Sequence, residues 1–177
     1  RMIEVKTNPG MTTTVHLPDG SVVHLNSESK LSYPSFFDKD KRRVTLQGEA
    51  FFEVQKDPEH GFVISTPHET KIEVLGTSFN VEAFEEDDFV STTLIEGKVR
   101  FNYMKNRRVI AVPMKPGQKL TYDSSSSRIQ LTETNGESEI AWKDGKIVFQ
   151  ATLLPEALRM LEKRFNVAFV LSKDYLR

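Results

Sequence analysis

The sequence predicts a mainly β protein, with an all-β domain over residues 1–131 and a small, partial β-α-β unit over residues 141–177. Up to Leu131, apolar and polar residues alternate in short runs separated by clusters of turn residues, which is typical of strands. After residue 140, a helical stripe flanked by two short apolar runs replaces this alternation. The 177 residues are enough for one domain and a small second one.

The longest alternating run, residues 44–54, is the strand around which we expect the β domain to be built. Its even-numbered positions, including Phe52, are apolar or glycine, whereas most odd-numbered ones, including Glu49 and Glu53, are polar. Because side chains alternate between the two faces of a strand, one face is expected to line a core and the other to meet water. Gly48, in the middle of the run, predicts a bend or a bulge.

Turn residues and reversals of the alternation divide the rest of the β domain into short strands. A hairpin with its turn at residues 18–21 precedes the central strand. The apolar positions change from even to odd numbers at residues 76–77 and again at residues 96–97. One strand cannot switch faces without an extra residue, so we expect corners there. A series of this kind predicts an all-β sandwich or a stacked, solenoid-like two-layer sheet.

The C-terminal residues follow a different pattern. Residues 132–138 include no apolar side chain, and we interpret residues 132–140 as a linker between two units. Beyond it, the sequence predicts a strand at residues 146–149, a helix, and a second strand at residues 167–171. The helix is predicted by an apolar stripe that consists of Leu154, Leu158, Leu161 and Phe165.

Composition and spacing argue against several classes of function. The absence of cysteine excludes disulfides, zinc–thiolate sites and cysteine nucleophiles. A net charge of −1 argues against nucleic-acid binding. No apolar run approaches the roughly 18–20 residues of a membrane-spanning helix, so we expect no membrane segment in this chain. If the first hairpin is centred between Asp19 and Gly20, His16 and His24 lie on opposite faces and cannot share a metal ion.

The carboxylates do not form a predicted active site. Glu49 and Glu53 are about 13 Å apart along one strand, too far for glycoside hydrolysis, and we expect both on a solvated face. Phe51 lies between them and is expected to pack under a loop or, alternatively, to contact a partner. The acidic residues 85–88 are expected to form a hydrated turn. We therefore expect no catalysis, no metal and no cofactor.

Three motifs resemble the FecR family of anti-sigma regulators, over roughly residues 13–131. They are GEAFFEV at 48–54, VLGTSFNV at 74–81 and LIEGKVRF at 94–101. The resemblance favours the stacked form of the β domain. It also implies a periplasmic domain of an inner-membrane protein, with a transmembrane helix and a cytoplasmic segment before Arg1. Residues 141–177 are similar to the start of the short N-terminal domain of secretins and TonB-dependent transporters, in which a second helix and further strands follow.

The resemblance implies a role in signalling by contact between proteins. In such a relay, the signalling domain of an outer-membrane TonB-dependent transporter contacts the regulator in the periplasm when a siderophore, haem or a glycan is loaded. The regulator then acts on an extracytoplasmic-function sigma factor through its cytoplasmic segment. The alternative function is a secreted β-sandwich domain that binds carbohydrate through exposed aromatic side chains. The candidates for that function are Tyr33, Phe51, Tyr103 and Trp142.

The expected contact with the transporter is made by an open strand edge of the C-terminal unit. An uncovered edge leaves backbone N–H and C=O groups free to pair with a strand of another chain. Either of the two predicted C-terminal strands provides such an edge, with a nearby aromatic anchor. The predicted partner-binding residues are Trp142, Ile147, Val148, Phe149, Phe169 and Val170.

Overall fold

The structure, a computed structural model, describes residues 1–171 of the chain. Thirteen strands and three short helical segments make up its regular structure, and the mainly β prediction is confirmed. The strands are β1 (Met2–Lys6), β2 (Thr13–His16), β3 (Val22–Leu25), β4 (Lys30–Pro34), β5 (Lys41–Glu53), β6 (Gly61–Thr66), β7 (Thr70–Val74), β8 (Ser78–Ala83), β9 (Phe89–Glu96), β10 (Val99–Lys105), β11 (Arg108–Met114), β12 (Gln118–Asp123) and β13 (Arg128–Glu133). The helical segments are α1 (Glu137–Ile140), a 3-10 helix at Ala141–Asp144, and α2 (Leu154–Phe165).

The strands form one curled sheet with two halves that share β5. In the order β11-β10-β7-β6-β5-β8-β9-β12-β13, neighbouring strands are hydrogen-bonded. The part of β5 before Gly48 pairs with β4 and β6, and the part from Gly48 onward pairs with β3 and β8. The β5–β6 pair is parallel, and the other pairs described are antiparallel. The two halves pack face to face, since the rings of Phe101 in β10 and Tyr122 in β12 are 6.2 Å apart.

Gly48 lies where β5 passes from one half of the sheet to the other. Its φ of +110° is one that side-chain-bearing residues rarely adopt. A Cβ at this position would collide with the Ser29 side chain, whose hydroxyl oxygen accepts a hydrogen bond from the Glu49 N–H at 2.9 Å. The predicted bend at Gly48 is therefore confirmed.

The two predicted reversals of alternation are also corners between the halves. β7 pairs in the first half, whereas β8, which begins just after residues 76–77, pairs in the second. Similarly, β9 belongs to the second half, and β10 returns to the first after Gly97, whose φ is +94°. The core between the halves includes Phe52, which is fully buried and stacks on Phe79 with ring centroids 5.3 Å apart. The prediction that Phe52 is a core residue is confirmed.

The register of the first hairpin differs from the predicted one. Leu17 donates its backbone N–H to the Ser21 carbonyl, so the turn has three residues and is centred on Asp19. This moves the pairing by one position and sets His24 opposite Thr14 and His16 opposite Val22. The two histidines therefore share a face, contrary to the prediction. Within residues 1–171, no group of three or more His, Cys, Asp or Glu side chains is arranged to hold a metal ion.

In the C-terminal unit, the predicted helix is confirmed, but the two predicted strands are not. α2 begins at Leu154 and ends at Phe165, and Asn166 caps it with a φ of +52°. Within the described residues, the predicted strands at 146–149 and 167–171 form no ladder, so these predictions are wrong. A short apolar run becomes a strand only beside a partner strand, and the structure places none next to either segment. No helix within residues 1–171 combines the length and the apolar character needed to cross a membrane.

The predicted linker has regular structure at both of its ends. β13 extends to Glu133, and α1 begins at Glu137. Between them, the Thr134 N–H donates to the Gly117 carbonyl at 2.8 Å. Gly136 is buried, and a Cβ on it would collide with Ile95. That the units on either side of residues 132–140 fold separately stays a prediction.

Candidate functional site

The C-terminal residues lie against the outer face of β5, β8 and β9, and a partly open cavity of about 120 Å³ lies between them. In the register of β5 with β8, Glu49 is opposite Glu82, and Phe51 is opposite Asn80. These side chains point away from the core because they alternate with buried Ala50 and Val81. Glu49, Asn80 and Glu82 belong to the β-sheet wall of the cavity, and residues from the 3-10 helix to α2 line the other wall.

Trp142 is the central contact of the C-terminal segment. Its side chain is 8% exposed, and its Nε1–H donates to the side-chain oxygen Oδ1 of Asn80 at 3.2 Å. The next residue, Lys143, places its Nζ 5.4 Å from the centroid of the Phe51 ring. Phe51 is therefore buried under a neighbouring segment, which was the first of its two predicted environments. Trp142 is used within the chain rather than presented at the surface.

Glu49 lies half-buried in this cavity with polar neighbours. Its two carboxylate oxygens accept hydrogen bonds from the side-chain amides of Asn26 at 2.8 Å and Asn80 at 2.9 Å. Burial raises its pKa to about 7, and the nearby charge of Glu82 adds to the increase, although the two amides and Arg159 oppose it. The prediction of a solvated face is thus wrong for Glu49, because the C-terminal segment covers it. Glu53, beyond the edge of that cover, is exposed.

Two basic side chains of α2 hold the helix on the turn between β8 and β9. The Arg159 guanidinium donates to Glu82 at 2.7 Å and to Asp87 at 2.8 Å. Lys163 lies 3.3 Å from Glu86 and 3.7 Å from Asp87. Asp87 is therefore paired with α2, so the prediction of a hydrated turn at 85–88 is wrong for this residue.

The same two cations lie over aromatic rings. The Arg159 guanidinium carbon is 5.3 Å from the centroid of the Phe89 ring, and the Lys163 Nζ is 3.0 Å from that of Phe84. At the end of the helix, the Ser27 hydroxyl donates to the Lys163 carbonyl at 2.9 Å. The helix is thus held by ion pairs, cation–π contacts and one backbone contact.

The structure does not bring the predicted partner-binding residues together on one surface. Ile147 and Val148 are half-buried and line the cavity beside the 3-10 helix. Phe149 and Phe169 are exposed, and Val170 is 94% exposed. These residues do not meet in one sheet, because neither segment that carries them is a strand.

The four aromatic residues considered for carbohydrate binding are all buried: Tyr33, Phe51, Tyr103 and Trp142. None of them offers an open ring on which a sugar could stack. The carboxylates of Glu49, Glu82 and Asp87 are likewise engaged within the chain, with amides or cations. The arrangement suits a contact between chain segments.

Sequence reasoning did not identify the residues through which α2 docks. Arg159 and Lys163 are four positions apart, which places them on one face of a helix. The acidic residues 85–88 are the complementary cluster. These two charge patterns were the available signal. They do not specify that the basic pair on α2, among the basic residues of the chain, contacts residues 85–88.

Comparison with known proteins identifies relatives of this fold. The family model described as FecR protein matches residues 3–100. None of the curated protein sequences compared with the chain is significantly similar to it.

Two crystal structures of candidate anti-sigma factors from Parabacteroides distasonis ATCC 8503 are similar over nearly the whole chain. The first has a TM-score of 0.88 and 31% identity, over 98% of this chain and 79% of the relative. The second has a TM-score of 0.84 and 32% identity, over 93% of this chain and 75% of the relative.

Proposed function

Because the chain belongs to the FecR family of anti-sigma factors, we propose that it is the periplasmic, signal-receiving part of a transmembrane sigma regulator. Proteins of this family are membrane-anchored regulators rather than enzymes. In the proposed role, the chain contacts the signalling domain of an outer-membrane TonB-dependent transporter. It relays the state of that transporter to an extracytoplasmic-function sigma factor through a cytoplasmic segment of the full-length protein.

The observation that carries this role is the agreement of the family match over residues 3–100 with two solved relatives over at least 93% of the chain. The character of the site supports it. Its charged groups bind the chain's own C-terminal segment, as expected of a module that works through protein contacts. The exposed aromatic and aliphatic side chains of the described C-terminal residues add an apolar surface of the kind that proteins use for association.

We further propose that the C-terminal residues from 141 onward belong to a unit that is similar to the short N-terminal domain of secretins and TonB-dependent transporters. In α2, Leu154 and Phe165 of the predicted apolar stripe are 56% and 61% exposed. A helix with an amphipathic pattern normally buries its apolar stripe. The charged face of α2 contacts the β domain. Leu158 and Leu161 in the middle of the stripe are half-buried, and its two ends stay available to further elements of such a unit.

The proposed contact with the transporter is strand addition to segment 146–149 or 167–171. Within the described chain, neither segment has a ladder partner. The N–H groups of Lys146, Val167 and Phe169 bond within the chain, and the proposed pairing uses other backbone groups of these segments. Phe149, Phe169 and Val170 are the exposed side chains that would accompany this pairing.

Binding of the purified signalling domain of the cognate transporter tests this role. Val148→Pro and Val170→Pro each remove one backbone donor, and we expect one of them to abolish binding while the melting temperature of the β domain is unchanged. Phe169→Ala is expected to weaken binding, and Phe36→Ala, which truncates an exposed phenylalanine of the β domain, is the matched control. Binding that survives both proline variants would exclude strand addition. Failure of the unmodified chain to bind the domain would contradict the proposed relay itself.

A further inference from the structure

The turn between β8 and β9 carries an acidic surface that α2 covers. We define this surface, the acidic floor, by Glu82, Glu86 and Asp87 together with the rings of Phe84 and Phe89. The Asp87 carbonyl accepts a hydrogen bond from His68 at 2.7 Å, and the Asp87 N–H donates to the Phe84 carbonyl at 3.2 Å. The turn is therefore braced by contacts within the β domain as well as by α2.

The acidic floor has two binding positions for cations. At the first, Glu82 and Asp87 bind the Arg159 guanidinium beside the Phe89 ring. At the second, carboxylates of the same turn bind the Lys163 ammonium above the Phe84 ring. Carboxylates with an aromatic face bind a cation from two sides. Arg159 and Lys163 are four residues apart, so the two positions match one face of a basic helix.

The helix that occupies the acidic floor is held at the surface of the β domain. No residue of α2 is fully buried and none belongs to the hydrophobic core, so the helix can leave without opening that core. The ion pairs involve partly exposed side chains, and pairs of this kind typically contribute about 0–1 kcal/mol each. The preceding segment, residues 145–153, has no helix or strand and begins at Gly145, whose φ is +75°. Such a tether permits α2 to move while Trp142 stays in place.

We propose that the acidic floor is an interaction surface for a cationic helix of a partner protein, and that α2 occupies it in cis until the partner displaces it. The partner is characterised by two basic side chains four residues apart on one helix face, as in α2 itself. Charge complementarity favours this class of partner, because the floor presents three carboxylates and its present occupant contributes two cations. Displacement frees α2 together with its apolar stripe, so that one binding event changes two surfaces.

The test separates α2 from the acidic floor in the full chain and then supplies a helix in trans. The double variant Arg159→Glu, Lys163→Glu repels α2 from the carboxylates. The probe is a fluorescent synthetic peptide with the sequence of residues 151–166, and its binding is measured by fluorescence anisotropy at low ionic strength. We expect this variant to bind the peptide at least tenfold more tightly than the unmodified chain. In the unmodified chain, the tethered α2 competes at a high effective concentration.

Two controls identify the surface that binds. Adding Glu82→Gln and Asp87→Asn to the double variant removes floor charges and is expected to abolish peptide binding. The variant Arg107→Glu, Arg108→Glu reverses two exposed charges in the distant β10–β11 turn and is expected to behave like the unmodified chain. Equal binding to all four proteins, or binding to none of them, would overturn the proposal.

Hydrogen exchange of the unmodified chain provides a measurement that does not depend on variants. If ion pairs hold α2, its amides exchange at least tenfold faster at 0.5 M than at 0.02 M NaCl, because salt screens exposed charges. The amides of β5 are expected to be unaffected. Exchange of α2 that is independent of salt would overturn the weak cis contact. If two copies of the chain form a dimer by exchanging α2, the partner at the acidic floor is a second copy of this chain and not another protein, which would contradict the proposal.

Discussion

Ionisation of Glu49 is predicted to destabilise the folded chain as the pH rises. The ordinary pKa of this side chain is 4.5, and burial together with Glu82 raises it to about 7 in the folded chain. The difference of about 2.5 corresponds to about 3.5 kcal/mol, at about 1.4 kcal/mol for each pKa unit. Because Glu49 keeps some exposure to water, screening lowers the expected effect to about 1–3 kcal/mol.

The direction follows from where the proton is bound. Between about pH 4.5 and 7, the folded chain keeps a proton on Glu49 that the unfolded chain has lost. The free energy of unfolding therefore falls as the pH rises through this interval. The stabilisation from the protonated carboxyl is complete below pH 4.5 and is lost once the pH passes about 7.

Glu49→Gln removes the ionisation and should flatten this part of the pH dependence. Urea unfolding at pH 5 and pH 8 measures the change, and the fluorescence of Trp142, the only tryptophan, reports on the same cavity. We expect the unmodified chain to lose about 1–3 kcal/mol more than the variant between the two pH values.

The comparison uses pH dependence because the variant also changes hydrogen bonding. The side-chain amide introduced by Glu49→Gln would turn an N–H toward one of the two amides that now donate to Glu49, and this effect is the same at both pH values. Glu96→Gln, at an exposed position of β9, is the matched control and should retain the pH dependence of the unmodified chain. Identical profiles for Glu49→Gln and the unmodified chain would refute the reasoning.

Three further predictions concern the fold. Phe52→Ala removes the ring that stacks on Phe79 and should lower the free energy of unfolding by about 3–5 kcal/mol; an unchanged thermal melt would contradict its position in the core. Gly48→Ala places a Cβ against Ser29 at a positive φ and should cost about 1–3 kcal/mol, whereas unchanged stability in urea would show that the corner is not strained. If residues 132–140 are a linker, limited proteolysis should first cut within 132–138 and leave a stable fragment that ends near residue 131; a first cut beyond Trp142 would move the boundary.

The course of β5 could be predicted because its signals are local. Alternation over residues 44–54 identifies the strand, Gly48 identifies the bend, and the reversals at 76–77 and 96–97 identify the other corners. Each depends on a few neighbouring residues and the period-two geometry of a strand. The hairpin register was missed because turns of two and three residues fit the same segment, and the difference changes the face on which His16 lies relative to His24.

The candidate site could not be predicted because it joins segments far apart in the sequence. Glu49 is covered because of where Trp142 and α2 lie. The alternation of residues in β5 carries no information about the position of these two distant segments. The strands predicted at 146–149 and 167–171 failed for a related reason, since strand formation depends on a neighbour and not on composition alone.

Because β5 passes through both halves, no single point in the sequence separates the residues of one half from those of the other. After β5, the chain adds β6 and β7 to the first half, β8 and β9 to the second, β10 and β11 to the first, and β12 and β13 to the second. A chain interrupted after β9 would leave both halves short of two strands each. During synthesis, neither half is complete before most of the β domain has emerged, so the halves are expected to be acquired and lost together as one cooperative unit. A pull on the C-terminal segment would then move the whole β domain as a single body.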